Sequence, residues 1–398
     1  RKSVTSAAKK CTATIEMNKP RQTVAIVGAG IGGLTAALAF ARHGAEVFVL
    51  EQAPALTEVG AGLQITPNGG RVLQALGLSD AAARAGIAAD AVVPKDAMSG
   101  RDVTRFDLTA QTPRYRFFHR AGLQGLLADG AEAAGVTVHL GVQAHGMDAQ
   151  GVLQTSKGPM HADVVVGADG IHSKLRAYCE PDAQQATFTG QVAWRGVVPT
   201  RETPAEAHIW MAPHRHVVTY PLDNGLLNVV AVQERSAWAA EGWSHGDDPQ
   251  HLRAAFADCA PAVQEILAQI DQPLLWGLFR HPVVSQWTRG TVALLGDAAH
   301  PTLPFLAQGA NLAIEDAYVL ARCCAQEADV PQAFARYQAL RRDRVVRALA
   351  AANANARNYH LSGLGRHVAF AGLKTLGAVA PDAFIKRLGW LYDHDVTA

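Results

Sequence analysis

The chain has 398 residues, 49% of them apolar and 18% charged, which is ordinary globular composition and length enough for two domains around sizeable cores. A net charge of +1 without any Lys/Arg run leaves no basic surface for a nucleic acid. No stretch reaches the ~18–20 uninterrupted apolar residues that span a bilayer, so a soluble protein is expected.

The cysteines Cys11, Cys179, Cys259, Cys323 and Cys324 are odd in number and lack C-x-x-C spacing. That predicts unpaired thiols in a reducing, cytoplasmic setting. The vicinal Cys323-Cys324 pair reads as small apolar filler in a helix, and no metal site is expected. Residues 1–16 are basic and polar without apolar periodicity, which reads as a leader or tag, and Met17-Asn18-Lys19-Pro20 resembles a start.

Val24–Val27 is apolar and β-branched enough for a buried parallel strand, and Gly28, Gly30 and Gly33 follow it as G-x-G-x-x-G. Gly28 permits the tight turn, Gly30 lets the backbone approach a pyrophosphate, and Gly33 lets a helix over 34–43 pack on the strand. The N-terminus of that helix faces the negative charge, and Ile31, inside the glycine turn, is a further cofactor-binding candidate. A second strand, 46–50, delivers Glu51 where an acid bonds a ribose hydroxyl. Strand, glycines, helix, strand and acid in that order predict a bound dinucleotide.

Further along, Gly60-Ala61-Gly62-Leu63-Gln64 to Pro67-Asn68-Gly69 reads as a ligand-wrapping loop, followed by a helical pattern at Val72, Leu73, Leu76 and Leu78. Residues 91–111 alternate like strands, and 117–127 (FFHRAGLQGLL) returns to helical spacing. Strands follow at 136–140 and 162–167. Between 190 and 279 short strands at 191–198, 208–211, 217–220 and 226–233 are parted by Pro, Asn-Gly and Asp turns, the pattern of an antiparallel sheet. A strand at 291–295, long helices from Gly309 to about 358 and a helical arm over 361–393 complete the chain.

The predicted fold is α/β. A discontinuous Rossmann-like domain with a parallel sheet spans 17–90, 112–186 and 280–345. A mainly antiparallel substrate domain of 91–111 and 187–279 is inserted into it, and C-terminal helices occupy 346–398.

Two later runs repeat the strand–turn–helix theme: Gly167-Ala-Asp169-Gly170 through Ser173 and Arg176, and Gly296-Asp297-Ala-Ala-His300-Pro301. Each acid is open to two readings, a ligand contact or a helix cap; for Asp297 these are a ribityl chain or a helix opening after Pro301. His300 reads as a group that fixes the Gly-Asp turn.

With these runs the chain resembles the single-component FAD-dependent aromatic hydroxylases, a group that includes salicylate hydroxylase, 3-hydroxybenzoate 6-hydroxylase and 6-hydroxynicotinate 3-monooxygenase. The likeness runs from Val24 to about Tyr392 and is nearest the salicylate hydroxylase branch. Its carriers are Gly28–Gly33 with Glu51, the GADGxxSxxR run 167–176, the GDAAHP run 296–301 continuing to Gln308-Gly309-Ala310, and His216-Val-Val-Thr-Tyr220-Pro221.

The resemblance implies that Asp169 serves FAD and a passing nicotinamide. It implies that Asp297 bonds the ribityl chain, that Gly62 and Pro301 border the cofactor, and that the backbone of Gly309, Ala310 and Asn311 faces the flavin edge. Arg120, in the pair His119-Arg120, would support the diphosphate, although Gly122 stands where relatives carry an acid. Gln64 replaces a histidine of the 6-hydroxynicotinate enzyme, which argues against a pyridine substrate.

The implied reaction consumes NADH or NADPH and O₂, forms a flavin C4a-hydroperoxide and hydroxylates a small phenolic or aromatic acid. No second G-x-G-x-x-G follows a strand, so the nicotinamide would bind transiently. Such chemistry needs a dry pocket, and Leu303, Pro304 and Phe305 suit one wall. A histidine can take the phenol proton near neutral pH. His216 and Tyr220 are the candidates, an even number apart and so on one strand face.

On spacing alone His216 reads equally as a solvated residue beside His214 and Arg215. Arg195 suits a substrate carboxylate or a structural ion pair. Two alternatives remain: a flavoprotein of this fold acting on a quinone or prenyl lipid, for which the apolar run 368–380 is a membrane-facing candidate, or a flavin-binding redox sensor. Monomer and homodimer are both open.

Overall fold

The computed structural model describes residues 21–56, 62–201, 203–235 and 245–398. The expected leader, Met17–Pro20, Cys11 and the Gly60-Ala61 part of the wrapping loop lie outside the described residues.

Thr23–Val27 forms the heart of a six-stranded sheet, with Val24, Ala25 and Ile26 fully buried. Its neighbours Val164–Gly167 and Glu46–Glu51 run parallel to it, flanked in turn by Val292–Leu294 and Thr137–Leu140, also parallel. Thr288–Arg289 closes one edge antiparallel. The register places Val27 beside Gly167 and Gly167 beside Leu294. The Gly28, Ala168-Asp169 and Gly296-Asp297 turns therefore emerge side by side at the carboxyl edge of one sheet, where open α/β sheets bind ligands.

The helix after the first turn spans Ile31–Arg42 and packs against the helices Gly309–Gln326 and Arg120–Ala133. A β-branch-rich strand with both faces covered has no polar side to turn outward, which explains the near-continuous apolar run.

The second sheet has eight strands in the order His245–Gly246, Leu274–Arg280, Thr187–Pro199, Leu226–Glu234, Arg215–Leu222, Glu206–Ala212, Ala91–Asp96 and Phe106–Asp107. It is antiparallel except where Ala91–Asp96 pairs parallel with Glu206–Ala212. One face buries Trp194, Trp210 and Val217 under the helices Pro249–Ala255 and Pro261–Ala268. The other face carries His216, Val218 and Tyr220 toward the cofactor-side turns.

Three expectations are corrected. Phe117 and Phe118 are not helical: Arg116–His119 is a strand between Gly62–Ile65 and Gly86–Ala88, and the helix begins at Arg120. Both rings are buried, one on each side of the small sheet, so a pair that mimics a helical face serves a strand covered on two sides. No helix opens after Pro301; the next begins at Gly309, behind an irregular segment. Asp297 therefore caps no helix.

The C-terminal arm is helical at Gly363–Val379, Ala383–Arg387 and Gly389–Tyr392. It docks through Arg366, which is buried and donates to Asp96 and to the Met211 carbonyl. No helix among the described residues is long and apolar enough to cross a membrane. Cys323 and Cys324 are buried in the Gly309–Gln326 helix as free thiols.

Candidate active site

A cleft of about 740 Å³ runs along the carboxyl edge of the parallel sheet and ends against the eight-stranded sheet. At its near end lie Gly28, Gly30, Ile31, Glu51 and Arg120. Gly28 holds φ of +102°, and a Cβ there would stand 2.5 Å from the Ala168 carbonyl oxygen, so glycine is required by both turn and neighbour. Gly30 differs: a Cβ would meet nothing within 4 Å, so the room beside it belongs to the cleft. Glu51 accepts from the Ala29 N–H at 2.8 Å and the Ala53 N–H at 2.9 Å. Its carboxylate thus fastens the glycine turn while facing the cleft.

The second and third turns are stitched together. Arg176 donates to the carbonyls of Ala298 at 2.7 Å and Asp297 at 2.5 Å. Asp169 Oδ2 accepts from the Lys174 N–H at 2.8 Å, and Ser173 caps the Lys174–Cys179 helix. The capping reading of Asp169 is therefore met by one oxygen. The other, Oδ1, is buried with no protein partner among the described residues, in the wall of the cleft. Leaving such an acceptor unsatisfied costs about 1–3 kcal/mol, which a polar ligand offsets.

Asp297 opens onto the cleft yet is enclosed by its walls. That burial pushes its carboxyl above the ordinary range against the pull of His300, Arg120 and Arg176. His300 stays behind the turn, as expected, its Nε2 2.6 Å from Asp316 Oδ2 and its N–H on the Gly296 carbonyl. Burial alone would raise Asp316, but His300 and Arg341 hold it down at about 2. Arg341 reaches both Asp316 and Glu315 at 2.7 Å, and Arg344 completes the buried cluster on Glu315.

Gly309 and Ala310 open a helix whose N-terminus faces the cleft. Asn311 does not line it: its side chain accepts from the Thr66 N–H at 3.0 Å and donates to the Gln64 and Ala307 carbonyls, buried one step behind. Gly62 lines the cleft and gives its N–H to Asn228 at 2.7 Å; a Cβ on it would press the Tyr220 ring.

At the far end Pro301, Leu303, Pro304, Gln64, Arg195, His216 and Tyr220 come together, drawn from the eight-stranded sheet, the small sheet that holds Gly62–Ile65, and the 301–308 segment. His216 is 2% exposed, against the solvated reading that spacing alone allowed. Burial, and then His360, hold its pKa well below the ordinary 6.5, so the imidazole is neutral. Tyr220 stacks on Phe117 at 5.1 Å, and burial pushes its phenol well up despite Arg195. Gln64 accepts from the Tyr115 hydroxyl. The Arg195 guanidinium lies 4.8 Å over the Trp276 ring.

Phe305 is displaced from the expected wall. It packs behind His216, ring centroids 5.8 Å apart, in a cluster with Ala193, Val232 and Leu278. A regular strand would have put Phe305 on the same side as Leu303, but the chain turns at Pro304-Phe305 and carries the ring away from the cleft. Sequence reasoning missed His360 and Glu234, which stand behind His216, and the Glu315–Asp316–Arg341 cluster. Adjacent acids inside an otherwise apolar helix were the available signal for the latter.

The FAD-binding-domain family matches residues 21–352 of the chain. The chain belongs to that family of FAD-binding proteins. It is 37% identical over 345 residues to a 3-amino-4-hydroxybenzoate 2-monooxygenase of Streptomyces platensis, covering 83% of this chain and 86% of that one. It is 33% identical to a 3-hydroxybenzoate 6-hydroxylase of Polaromonas naphthalenivorans, with 94% and 96% covered. A salicylate hydroxylase solved with substrate superposes with a TM-score of 0.79 at 26% identity, over 94% of this chain and 96% of that one. The cofactor is FAD and the class is that of the aromatic monooxygenases. The glycine turn, the unpartnered Asp169 oxygen and the open room at Gly30 fit a flavin dinucleotide laid along the cleft.

Proposed function

We propose that the protein hydroxylates a small phenolic acid of the hydroxybenzoate type, using FAD, NADH or NADPH, and O₂. The observation that carries this reading is the far end of the cleft, where a buried neutral histidine, a tyrosine and an arginine meet an apolar wall. FAD, when bound, takes electrons from the nicotinamide and supplies the activated oxygen.

The chain's own residues do the rest. Gly28, Gly30 and Ile31 with the following helix would cradle the diphosphate, supported by Arg120, while Gly33 lets that helix pack against the Gly28 carbonyl behind the turn. Glu51 faces a ribose, Asp169 and Asp297 face the polar chain of the cofactor, and the helix start at Gly309-Ala310 faces the flavin edge. Gly62 and Pro301 border the ring system.

His216 accepts the phenol proton at Nε2, leaving an electron-rich phenolate, and Tyr220, which stays protonated, orients the oxygen. Arg195 receives the substrate carboxylate. Leu303, Pro304 and Val218 exclude water that would divert the oxygen to peroxide. Residues 17–90, 112–186 and 280–345 serve the cofactor, and 91–111 with 187–279 serve the substrate. A reducing, cytoplasmic setting goes with the free thiols of Cys179, Cys259, Cys323 and Cys324.

FAD-loaded protein is tested for NADH and NADPH oxidation with salicylate, 3-hydroxybenzoate, 3-amino-4-hydroxybenzoate and 6-hydroxynicotinate, with product and peroxide analysis. Stimulation with a hydroxylated product is the expected result. Stimulation by no ring overturns the reading.

A further inference from the structure

Behind His216 a line of polar groups leads out of the protein. His216 Nδ1 lies 2.7 Å from His360 Nε2. His360 Nδ1 lies 2.9 Å from Glu234 Oε1, and Glu234 Oε2 lies 2.7 Å from His214 Nδ1. Side-chain exposure rises along the line, from 2% at His360 to 40% at Glu234 and 62% at His214. A surface recess lined by Gln191, His214, Glu234 and Arg235 opens at its outer end.

The four residues come from three places in the chain: the strand Arg215–Leu222 with the turn just before it, the last residue of Leu226–Glu234, and the end of the helix Val330–Tyr359. His214 adopts φ of 61°, a left-handed conformation uncommon for residues other than glycine. Its backbone is held there at both ends, its N–H on the His360 carbonyl at 3.2 Å and its carbonyl on the Glu234 N–H at 2.8 Å. Two buried imidazoles in series, closed by a half-exposed carboxylate, satisfy more than packing requires. The other polar neighbour of His216, Tyr359, is 5.1 Å away ring to ring and directs its hydroxyl to the Phe305 carbonyl, so it offers no exit.

We propose that His216, His360 and Glu234 form a proton relay that carries the phenol proton of the bound ring from the closed cleft to solvent beside His214. The inference rests on the function proposed above. The phenol O–H breaks as His216 Nε2 gains the proton; His216 Nδ1 gives its proton to His360 Nε2, and His360 Nδ1 gives its own to Glu234, which releases it to water. The reverse sequence returns a proton to the hydroxylated product and restores both tautomers, so no net charge stays buried. Burial holds both histidines below their ordinary pKa, so neither traps the proton on the way.

FAD-loaded enzyme is mixed by stopped flow with 3-hydroxybenzoate in weak buffer containing a pH indicator, and turnover is followed in parallel. Glu234→Gln is expected to slow proton release and turnover about tenfold, at the low end of general acid–base effects, with substrate Kd unchanged. His360→Ala slows both similarly, and added imidazole restores part of the rate by filling the gap; a structural role would show no such rescue. Wild-type release rates in both variants overturn the relay. Hydroxylation by the wild type without proton release also overturns it while leaving the proposed function standing. Neither hydroxylation nor release would remove the function itself, and the relay with it.

Discussion

The two ends of the cleft are built on different principles. The cofactor end is made of backbone: three turns at the ends of adjacent parallel strands, a helix N-terminus, and glycines chosen for what they leave empty. The substrate end is made of single side chains, His216 and Tyr220 from one strand, Arg195 from another strand of the same sheet and Gln64 from the small sheet, each positioned by packing behind it. A backbone site tolerates sequence change everywhere except at its turns. A side-chain site can change its ligand by substitution without disturbing the sheet that carries it.

The sharpest break in this contrast lies beneath the cofactor end. Arg341 is fully buried between Glu315 and Asp316, and Arg341→Met would remove the cation they share, leaving Glu315 to Arg344 and Asp316 to His300. A loss of about 3–5 kcal/mol is expected, read by urea denaturation, with FAD retention falling alongside.

The glycines separate folding from binding. Gly30→Val should leave stability within about 1 kcal/mol, because its Cβ has open space, while FAD affinity measured by flavin fluorescence falls more than about 100-fold. Gly28→Ala should cost about 1–3 kcal/mol in stability as well, through its positive φ and the Ala168 carbonyl. Equal stability losses in the two variants would break the contrast.

At the substrate end, His216→Gln should lower substrate-stimulated NADH oxidation about 100-fold with flavin content unchanged. Arg195→Met should raise KM for a hydroxybenzoate about tenfold and leave a phenol without carboxylate nearly unaffected, which steady-state kinetics on the two substrates would read.

The smallest effect is on the pH dependence of stability. His216, His360 and His208 are held below 6.5 by burial, so the unfolded chain binds protons that the folded one does not. Their contribution is complete above about pH 6.5 and is lost as pH falls through the lower folded values, by at most about 1.4 kcal/mol per pH unit for each. Asp316, at about 2, contributes nothing to that window. Denaturant titrations of wild type and His216→Gln between pH 7 and 5 should differ in slope.

Motifs local in the chain were legible because their chemistry is local. The run Val24–Glu51 predicts its strand, turn, helix and acid, and the GADG and GDAAHP runs predict turns that the sheet register then aligns. Alternation placed His216 and Tyr220 on one face, but whether that face met solvent or a cleft was undetermined until the cofactor-side turns were seen opposite it. Phe117-Phe118 misled because a strand buried on both sides shows no alternation.

The sequence by itself determined a phosphate-binding type of glycine turn between the first strand and helix, and a mainly antiparallel sheet after the second turn. Only the tertiary structure decided that Phe305 turns behind His216, that Asn311 binds loop backbone, and that His360 and Glu234, 144 and 18 positions from His216 in the chain, stand in line with it. Those contacts join elements far apart in sequence, and no periodicity within a segment records what a distant segment will bring against it.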